Sequence, residues 1–257
     1  MPVAAEGKIR VAEEMDFRSI LEIQRGVEGY MLEASAAVWC VLLQAQHETW
    51  NRSTSGDYLE IGVWKGKSAS VLASFSRIYG NMLTVVDRKI LPETRQTLDA
   101  ISPRVNYVNS LSEELCQTEF YAKNRRRIAF AHIDGSHKFS AVISDLQICE
   151  QMLANFGIIS VDDFHTDLFP QIPAAVYKYV FSGVSDLCIF LVGLNKAYLC
   201  RNLAKKHFMQ FARTDLLPAL ERNGQKLTLA KTDRNDSFDA FGIGGFFERR
   251  LFGDELP

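Results

Sequence analysis

Five short apolar segments alternate with segments of helical character between residues 58 and 163. Strands are predicted at Tyr58–Val63, Met82–Asp87, Val105–Asn109, Ile128–Asp134 and Gly157–Asp162. Helices are predicted between them at Ser68–Ile78, Glu93–Ile101, Ser112–Ala122 and Phe139–Asn155. Strands that are apolar along their whole length and separated by helices are typical of a parallel sheet covered on both faces. The pattern therefore predicts an α/β fold with a doubly wound, mostly parallel sheet.

The segments on either side of this repeat differ in character. Two helices are predicted within residues 17–50, with a break near residues 26–29. After residue 163 the sequence predicts a helix, a hairpin, a long helix and a small peripheral hairpin. These lie at Ile172–Phe181, Leu187–Gly193 with Ala197–Arg201, Lys205–Glu221, and Leu227–Lys231 with Phe238–Ile243. We expect a single domain with an N-terminal helical segment (1–54), a core (55–204) and a C-terminal extension (205–257).

The composition is that of an ordinary globular protein. In 257 residues, 47% are hydrophobic and 23% are charged, and the net charge is −2. This charge gives no electrostatic reason to expect nucleic acid or an anionic membrane as a partner. Five scattered cysteines without a Cys-x-x-Cys pair, no apolar run long enough to span a bilayer, and an acidic N-terminus predict a cytoplasmic protein.

A glycine turn follows the first predicted strand. The sequence Glu60-Ile-Gly62-Val-Trp-Lys-Gly66-Lys-Ser68 leads directly into a helix. A strand that feeds a glycine turn and a helix is how open α/β sheets bring backbone amides close to a small ligand. The spacing is neither that of a dinucleotide-binding motif nor that of a phosphate loop, because the first glycine comes one position too late for the latter. The turn therefore predicts a ligand site of another kind.

Carboxylates end three of the predicted strands. Asp87 ends the second strand, where it would accept hydrogen bonds from both hydroxyls of a ribose; the alternative is a helix N-cap or a turn aspartate. Asp134 ends the fourth strand, and Asp162 and Asp163 end the fifth. Neighbouring strand ends lie roughly 5 Å apart, so these three carboxylates converge if strands four and five are neighbours. An all-oxygen cluster of this kind favours magnesium, calcium or manganese, although turn and cap roles are the alternatives.

Three histidines lie near these carboxylates. His132 falls within the fourth strand and is predicted to be a packed or supporting residue. His137 follows Asp134 by three residues in a loop and can reach the same cavity. An imidazole with an intrinsic pKa near 6.5 is suited to accepting a proton at neutral pH. His137 is therefore the predicted base, with His165 as the competing residue.

Four motifs together resemble class I S-adenosylmethionine-dependent methyltransferases, in the branch of the macrolide-sugar and other antibiotic O-methyltransferases. The motifs are Leu59–Ser68, Val85–Asp87, His132–His137 and Gly157–Asp163, and the match extends over about residues 55–200 in order and spacing. The resemblance implies a Rossmann-like sheet of seven strands whose last strand is antiparallel. It also implies S-adenosylmethionine as cofactor and, in the metal-dependent members, Mg²⁺ or another divalent cation.

The resemblance assigns roles to residues at the matching positions. Glu60, Gly62 and Gly66 would hold the methionine and ribose parts of the cofactor, with Lys65 and Ser68 nearby. Asp87 would bind the ribose and Arg88, Asn109 and Ser110 would border the adenine, while Tyr30 would belong to a lid. Asp134, Asp162 and Asp163 would bind the metal, with Asp134 also facing the cofactor, and His137 would be the base.

The predicted activity is metal-assisted O-methylation of a small-molecule hydroxyl on a sugar or a glycosylated natural product. A metal-dependent hydroxylase-like protein is one alternative, for which Asp134, His137 and His165 would supply two histidines and a carboxylate. A non-catalytic cofactor-binding subunit is the other. The segment Gly242–Phe247 would contribute to a homo-oligomer surface.

Overall fold

One nine-stranded sheet organises the protein in the computed structural model, which describes residues 16–50, 56–231 and 239–245. The strands are β1 (Asp57–Ile61), β2 (Leu83–Asp87), β3 (Val105–Asn109), β4 (Ile128–Ile133), β5 (Leu153–Val161), β6 (Leu187–Gly193), β7 (Lys196–Arg201), β8 (Thr228–Ala230) and β9 (Phe241–Gly244). Their spatial order is β3-β2-β1-β4-β5-β7-β6-β9-β8. The first five strands are parallel, and β7 is antiparallel to both β5 and β6.

The helices cover both faces of this sheet. They are α1 (Phe17–Gly26), α2 (Glu33–Ala45), α3 (Lys67–Tyr79), α4 (Pro92–Ile101), α5 (Glu119–Lys123), α6 (Phe139–Met152), α7 (Gln171–Val180), α8 (Asn202–Phe211) and α9 (Leu217–Arg222). A π-helical turn at Gln46–Trp50 extends α2, and another at Ala212–Leu216 joins α8 to α9. None of the helices in the described ranges combines the length and apolar character needed to cross a bilayer.

Neighbouring residues on each strand pack into different cores. Ile158 and Tyr198 face a core shared with α1, α2, α3 and α8, whereas Ile159 and Leu199 face a core shared with α6 and α7. Side chains alternate between the two faces of a strand, so strands that are apolar at every position bury both faces. The doubly wound, mostly parallel sheet predicted from the sequence is confirmed.

The prediction of seven strands is wrong. The segment expected to form a separate peripheral hairpin joins the main sheet, because β9 pairs in parallel with β6 and β8 pairs with β9. Gly193 permits this close approach: a Cβ there would lie 1.8 Å from the Ile243 carbonyl oxygen. Residues 232–238, which lie between the two strands in the sequence, are outside the described residues.

Several predicted boundaries also shift. Helix α6 ends at Met152 and β5 begins at the next residue, earlier than the sequence suggested. The predicted helix over 112–122 is a 3₁₀ turn at Ser112–Gln117 followed by α5, because the Thr118 hydroxyl caps a new helix by accepting a hydrogen bond from the Tyr121 N–H. These differences leave the positions of the strand ends almost unchanged.

Candidate active site

The glycine loop after β1 packs directly against the end of β4. Gly62 has φ +83°, and a Cβ at this position would lie 2.0 Å from the Asp134 carbonyl oxygen. Gly66 has φ +87° and precedes the first turn of α3. Between them, Trp64 adopts φ 36°, and its carbonyl accepts a 2.6 Å hydrogen bond from the Thr94 hydroxyl. Glycine is required at position 62 because the loop has no room there for a side chain facing β4.

Asp87 anchors the other side of this loop. Its Oδ2 accepts a 3.0 Å hydrogen bond from the Val63 N–H, and its Oδ1 accepts one of 2.9 Å from the Lys89 N–H. Both oxygens therefore have a backbone partner, which fixes the direction of the carboxylate. The helix-cap alternative does not describe this arrangement, since α4 begins at Pro92, five residues later. The bond from the Lys89 N–H, two residues on, is the contact of a turn aspartate.

A cavity of about 550 Å³ opens between the ends of β1, β2 and β4. Of the predicted cofactor-binding residues, it is lined by Gly62, Asp87, Arg88, Ser110 and Asp134. Trp64, Glu113 and Lys138 also line it and were not predicted to do so. The sheet order changes direction between β1 and β4, and the carboxyl ends of the strands at such a point are where doubly wound folds bind ligands.

The other predicted cofactor residues lie around this cavity rather than on its described lining. Asn109 accepts a 2.8 Å hydrogen bond from the Arg95 guanidinium, and Gly66 lies at the start of α3. Glu60 is fully buried, and its Oε1 accepts hydrogen bonds from Ser68 and lies 3.1 Å from His132 Nδ1. Glu60 and Ser68 thus support the loop from behind.

Tyr30 and Lys65 connect the N-terminal helices to the glycine loop. The exposed ring of Tyr30 stacks on Trp64 with centroids 5.2 Å apart and an interplanar angle of 7°. Lys65 forms an ion pair with Glu28, and its ammonium lies 5.2 Å from the Trp64 ring centroid. The segment between α1 and α2 therefore covers the outer surface of the loop at Trp64, beside the cavity.

The structure divides the three predicted metal-binding carboxylates into two groups. Strands β4 and β5 are neighbours, as the sequence argument required. One group of ligand atoms joins Asp134 to His137 and Asp163, and the other joins Asp134 to His132 and Asp162. We call these the outer and the inner set. No set in the described part of the chain holds all three aspartates, so Asp134 is the residue that connects the two.

The outer set is open to solvent. His137 Nε2 lies 3.3 Å from Asp163 Oδ2 and 3.8 Å from Asp134 Oδ1. The Asp134 carboxylate and then the charge of Asp163 raise the pKa of His137 above its usual range, against the effect of burial. Burial and the charges of the other aspartates raise the pKa of Asp163, against a 2.9 Å hydrogen bond from Asn195. Asp134 and Asp163 thus lie close together beside a single imidazole.

The inner set is in contact with a buried cation that was not predicted from the sequence. Lys196 is buried, and its Nζ lies 2.6 Å from Asp162 Oδ2 and 3.3 Å from His132 Nε2. Burial would raise the pKa of Asp162, but the Lys196 ammonium and His132 hold it well below its usual range. Burial would lower the pKa of His132, but Glu60 and Asp162 together outweigh burial and the pKa rises to about 9. The only sequence signal for Lys196 was a charge at the start of an apolar strand.

His165 is not brought into either set. Its backbone N–H donates a 3.1 Å hydrogen bond to Asn195 Oδ1, and its ring packs edge-on against Phe164. The predicted trio Asp134, His137 and His165 is therefore not assembled among the described residues. Phe169 instead packs against His137, with ring centroids 3.9 Å apart.

The polar groups of the site fit both a divalent cation and S-adenosylmethionine, the two bound components that the sequence implied. The half-buried carboxylates of Asp134 and Asp163 are hard oxygen donors of the type that binds Mg²⁺ with retained water. The cavity has the size of a small-molecule site and offers the Asp87 carboxylate and the glycine-loop backbone to a polar ligand.

Comparison with known proteins agrees with this geometry. Residues 59–164 match the protein family described as a methyltransferase domain. This segment, less than half of the chain, is thus similar to a methyltransferase domain. The match begins on β1 and ends just after Asp163, so it includes the glycine loop, Asp87 and the carboxylates that end β4 and β5, but neither Tyr30 nor Lys196. Such a domain implies S-adenosylmethionine as the methyl donor. Comparison with curated proteins gave no significant match.

Solved structures share the fold of this methyltransferase domain at low sequence identity. CalS11, a TDP-rhamnose 3'-O-methyltransferase of calicheamicin biosynthesis, aligns with a TM-score of 0.51 and 16% identity over 72% of this chain and 92% of CalS11. The O-methyltransferase NovP aligns with a TM-score of 0.51 and 16% identity over 65% of this chain and 79% of NovP. The MycE methyltransferase, in complex with Mg and SAH, aligns with a TM-score of 0.53 and 14% identity over 71% of this chain and 54% of MycE.

Proposed function

We propose that the protein is a metal-assisted O-methyltransferase that acts on a hydroxyl group of a small molecule. The observation that carries this proposal is the position of Asp134, which lines the cofactor-sized cavity and also contacts His137 of the outer set. A methyl donor in the cavity and an acceptor at the outer set would therefore be neighbours. Orientation of the two reactants is the main contribution that a protein makes to such a transfer.

The cavity residues would bind S-adenosylmethionine. The Asp87 carboxylate would accept hydrogen bonds from the ribose hydroxyls, and Arg88 and Ser110 would border the adenine. The backbone of the loop from Gly62 to Gly66 would hold the methionine part, with Glu60, Ser68 and Lys65 supporting the loop. When bound, the cofactor supplies a methyl group already activated on a sulfonium.

The outer set would bind the acceptor and accept its proton. Asp134 and Asp163 would hold a divalent cation, which when bound lowers the pKa of a coordinated hydroxyl. His137 Nε2 would accept the hydroxyl proton, since it faces the two carboxylates at 3.3–3.8 Å. Phe169 packs against the imidazole, and Gln171 donates a 2.7 Å hydrogen bond to the His137 carbonyl. These contacts hold the base in place.

A sugar or glycosylated natural product is the acceptor that we propose. A pair of neighbouring hydroxyls can chelate a cation through two oxygens. CalS11 is a TDP-rhamnose 3'-O-methyltransferase, and MycE belongs to the mycinamycin pathway and was solved with Mg.

A homo-oligomer remains a prediction, because residues 246–257 lie outside the described part of the chain.

The test compares two histidine variants. We expect His137→Ala to lower methyl transfer to a panel of sugar nucleotides and glycosides by about 100-fold or more, the contribution typical of a general base. His165→Ala should retain most of the activity, because His165 lies outside both sets. Product formation is measured by mass spectrometry, and binding of S-adenosylhomocysteine by calorimetry should stay within about threefold in both variants.

Other outcomes would favour the alternatives. Equal losses in both histidine variants, together with iron in the purified protein, would favour the hydroxylase-like protein. Binding of S-adenosylhomocysteine without transfer to any acceptor would favour a non-catalytic subunit. Full wild-type activity in excess chelator would remove the metal from the mechanism.

A further inference from the structure

Lys196 is a buried cation beside the candidate active site. It begins β7, on the far side of β5 from β4, and its side chain reaches back to the end of β5. Its side chain is only 2% exposed, and its ammonium lies 5.3 Å from the Trp39 ring centroid. Removing an ammonium from water costs several kcal/mol unless it is paired and hydrogen-bonded. The partner that meets this requirement is Asp162, 2.6 Å away.

The same contact occupies Asp162. Its Oδ2 faces Lys196 and lies 3.7 Å from His132 Nε2, while its Oδ1 accepts a 2.8 Å hydrogen bond from the Asp163 N–H. Both oxygens are therefore engaged within the protein. A divalent cation bound to Asp162 would also lie close to the Lys196 ammonium, and like charges at short range in a partly buried site repel strongly.

A series of contacts already provides Asp162 with a cationic partner. Reading outward from the core, Glu60 contacts His132, His132 contacts Asp162, and Asp162 contacts Lys196. Asp162 therefore has an ammonium 2.6 Å from one of its oxygens before any divalent cation is bound. The outer set differs, because Asp134 and Asp163 share only one imidazole and their side chains are 35% and 22% exposed.

We propose that Lys196 is the resident cation of Asp162 and confines the divalent cation to Asp134 and Asp163. This inference rests on the proposed metal-assisted function. It makes Asp162 a positioning residue, which holds the backbone of Asp163 through its Oδ1, rather than a third metal ligand as the sequence suggested. It also predicts that the affinity for the cation is limited by Lys196.

The test is the affinity for Mn²⁺, measured by calorimetry and electron paramagnetic resonance without cofactor or acceptor. We expect Asp134→Asn and Asp163→Asn each to weaken Mn²⁺ binding by at least tenfold, and Asp162→Asn to change it by less than threefold. Lys196→Met should strengthen binding by at least fivefold, because it frees the Asp162 carboxylate. Asp167→Asn is the matched control, since it removes one exposed carboxylate from the same loop.

Each result decides the inference. Weakening by Asp162→Asn as large as that by Asp134→Asn, or no gain in Lys196→Met, would overturn it. If Lys196→Met does not fold, the double variant Lys196→Met/Asp162→Asn removes both charges, and its Mn²⁺ affinity should equal that of the wild type; a large loss would again count against the inference. If the wild type binds no Mn²⁺, the metal part of the proposed function fails, whereas binding gained by Lys196→Met would still support the role of Lys196.

Discussion

Asp145 on α6 is a carboxylate buried next to the floor of the cavity. Its side chain is fully enclosed, and neither oxygen has a hydrogen-bond partner among the described residues. A Cβ on Gly135, which lines the cavity, would lie 3.5 Å from Asp145 Oδ2. Burial raises the pKa of Asp145 to about 6. The Ser112 side chain lowers this pKa, but by less than burial raises it. The ionised residue therefore destabilises the folded state at neutral pH.

We expect Asp145→Asn to stabilise the protein at pH 7.5. A carboxyl group whose folded pKa is raised is more readily ionised in the unfolded state, so stability falls as pH rises from about 4 to about 6 and stays lower above that window. Asparagine keeps the size and removes the charge. The free energy of unfolding in urea should increase by about 1–3 kcal/mol at pH 7.5, and the difference should shrink to about a third of that value at pH 4.5.

Asp167→Asn serves as the control for this prediction, because Asp167 is exposed and carries the same charge. It should change the free energy of unfolding by less than about 0.5 kcal/mol at either pH. A lower stability of Asp145→Asn at pH 7.5 would show that the buried carboxylate has a stabilising partner in solution.

At the scale of the element, α3 has a left-handed glycine at each end. Gly66 precedes the helix with φ +87° and Gly80 follows it with φ +78°. The surroundings differ: a Cβ on Gly66 would lie 3.2 Å from Thr94 Cγ2, whereas a Cβ on Gly80 would have open space. One end contributes to the candidate cofactor site, and the other is remote from it.

This pair of glycines separates backbone strain from ligand binding. Gly66→Ala and Gly80→Ala should each cost about 1–2 kcal/mol of stability in urea unfolding, since both force alanine into the left-handed region. Only Gly66→Ala should weaken the binding of S-adenosylhomocysteine, by at least fivefold in calorimetry, because it displaces the loop beside Asp87. Equal binding by the two variants would mean that this loop does not hold the cofactor.

At the scale of the molecule, the cavity lies where the chain reverses direction across the sheet. The chain moves outward from β1 to β3 and then returns to place β4 on the other side of β1. Gly62 and Asp134, which follow β1 and β4, are therefore far apart in the sequence but in contact at the wall of the cavity that both line. The two cores hold these strand ends in register from opposite faces of the sheet.

The packing of these cores predicts the reactivity of the thiols. The protein has five cysteines, and Cys116 is the exposed one, whereas Cys40, Cys149, Cys188 and Cys200 are buried. Ellman's reagent should therefore modify one thiol rapidly in the native protein and all five in denaturant. Cys116→Ser should abolish the rapid phase. A second rapid thiol in this variant would show that one of the cores opens on the timescale of the reaction.

Local sequence patterns were enough to predict the repeating architecture and the chemistry at the strand ends. Apolar runs such as Ile128–Ile133 show burial on both faces, and residues such as Asp87 and Asp134 follow them at positions that local patterns identify. The contacts between distant residues and the pairing of the later strands are seen only in the folded protein. Lys196 reaches Asp162 because β7 inserts beside β5, and β9 joins the sheet through β6. Such contacts depend on strand order and side-chain direction, which no local periodicity encodes.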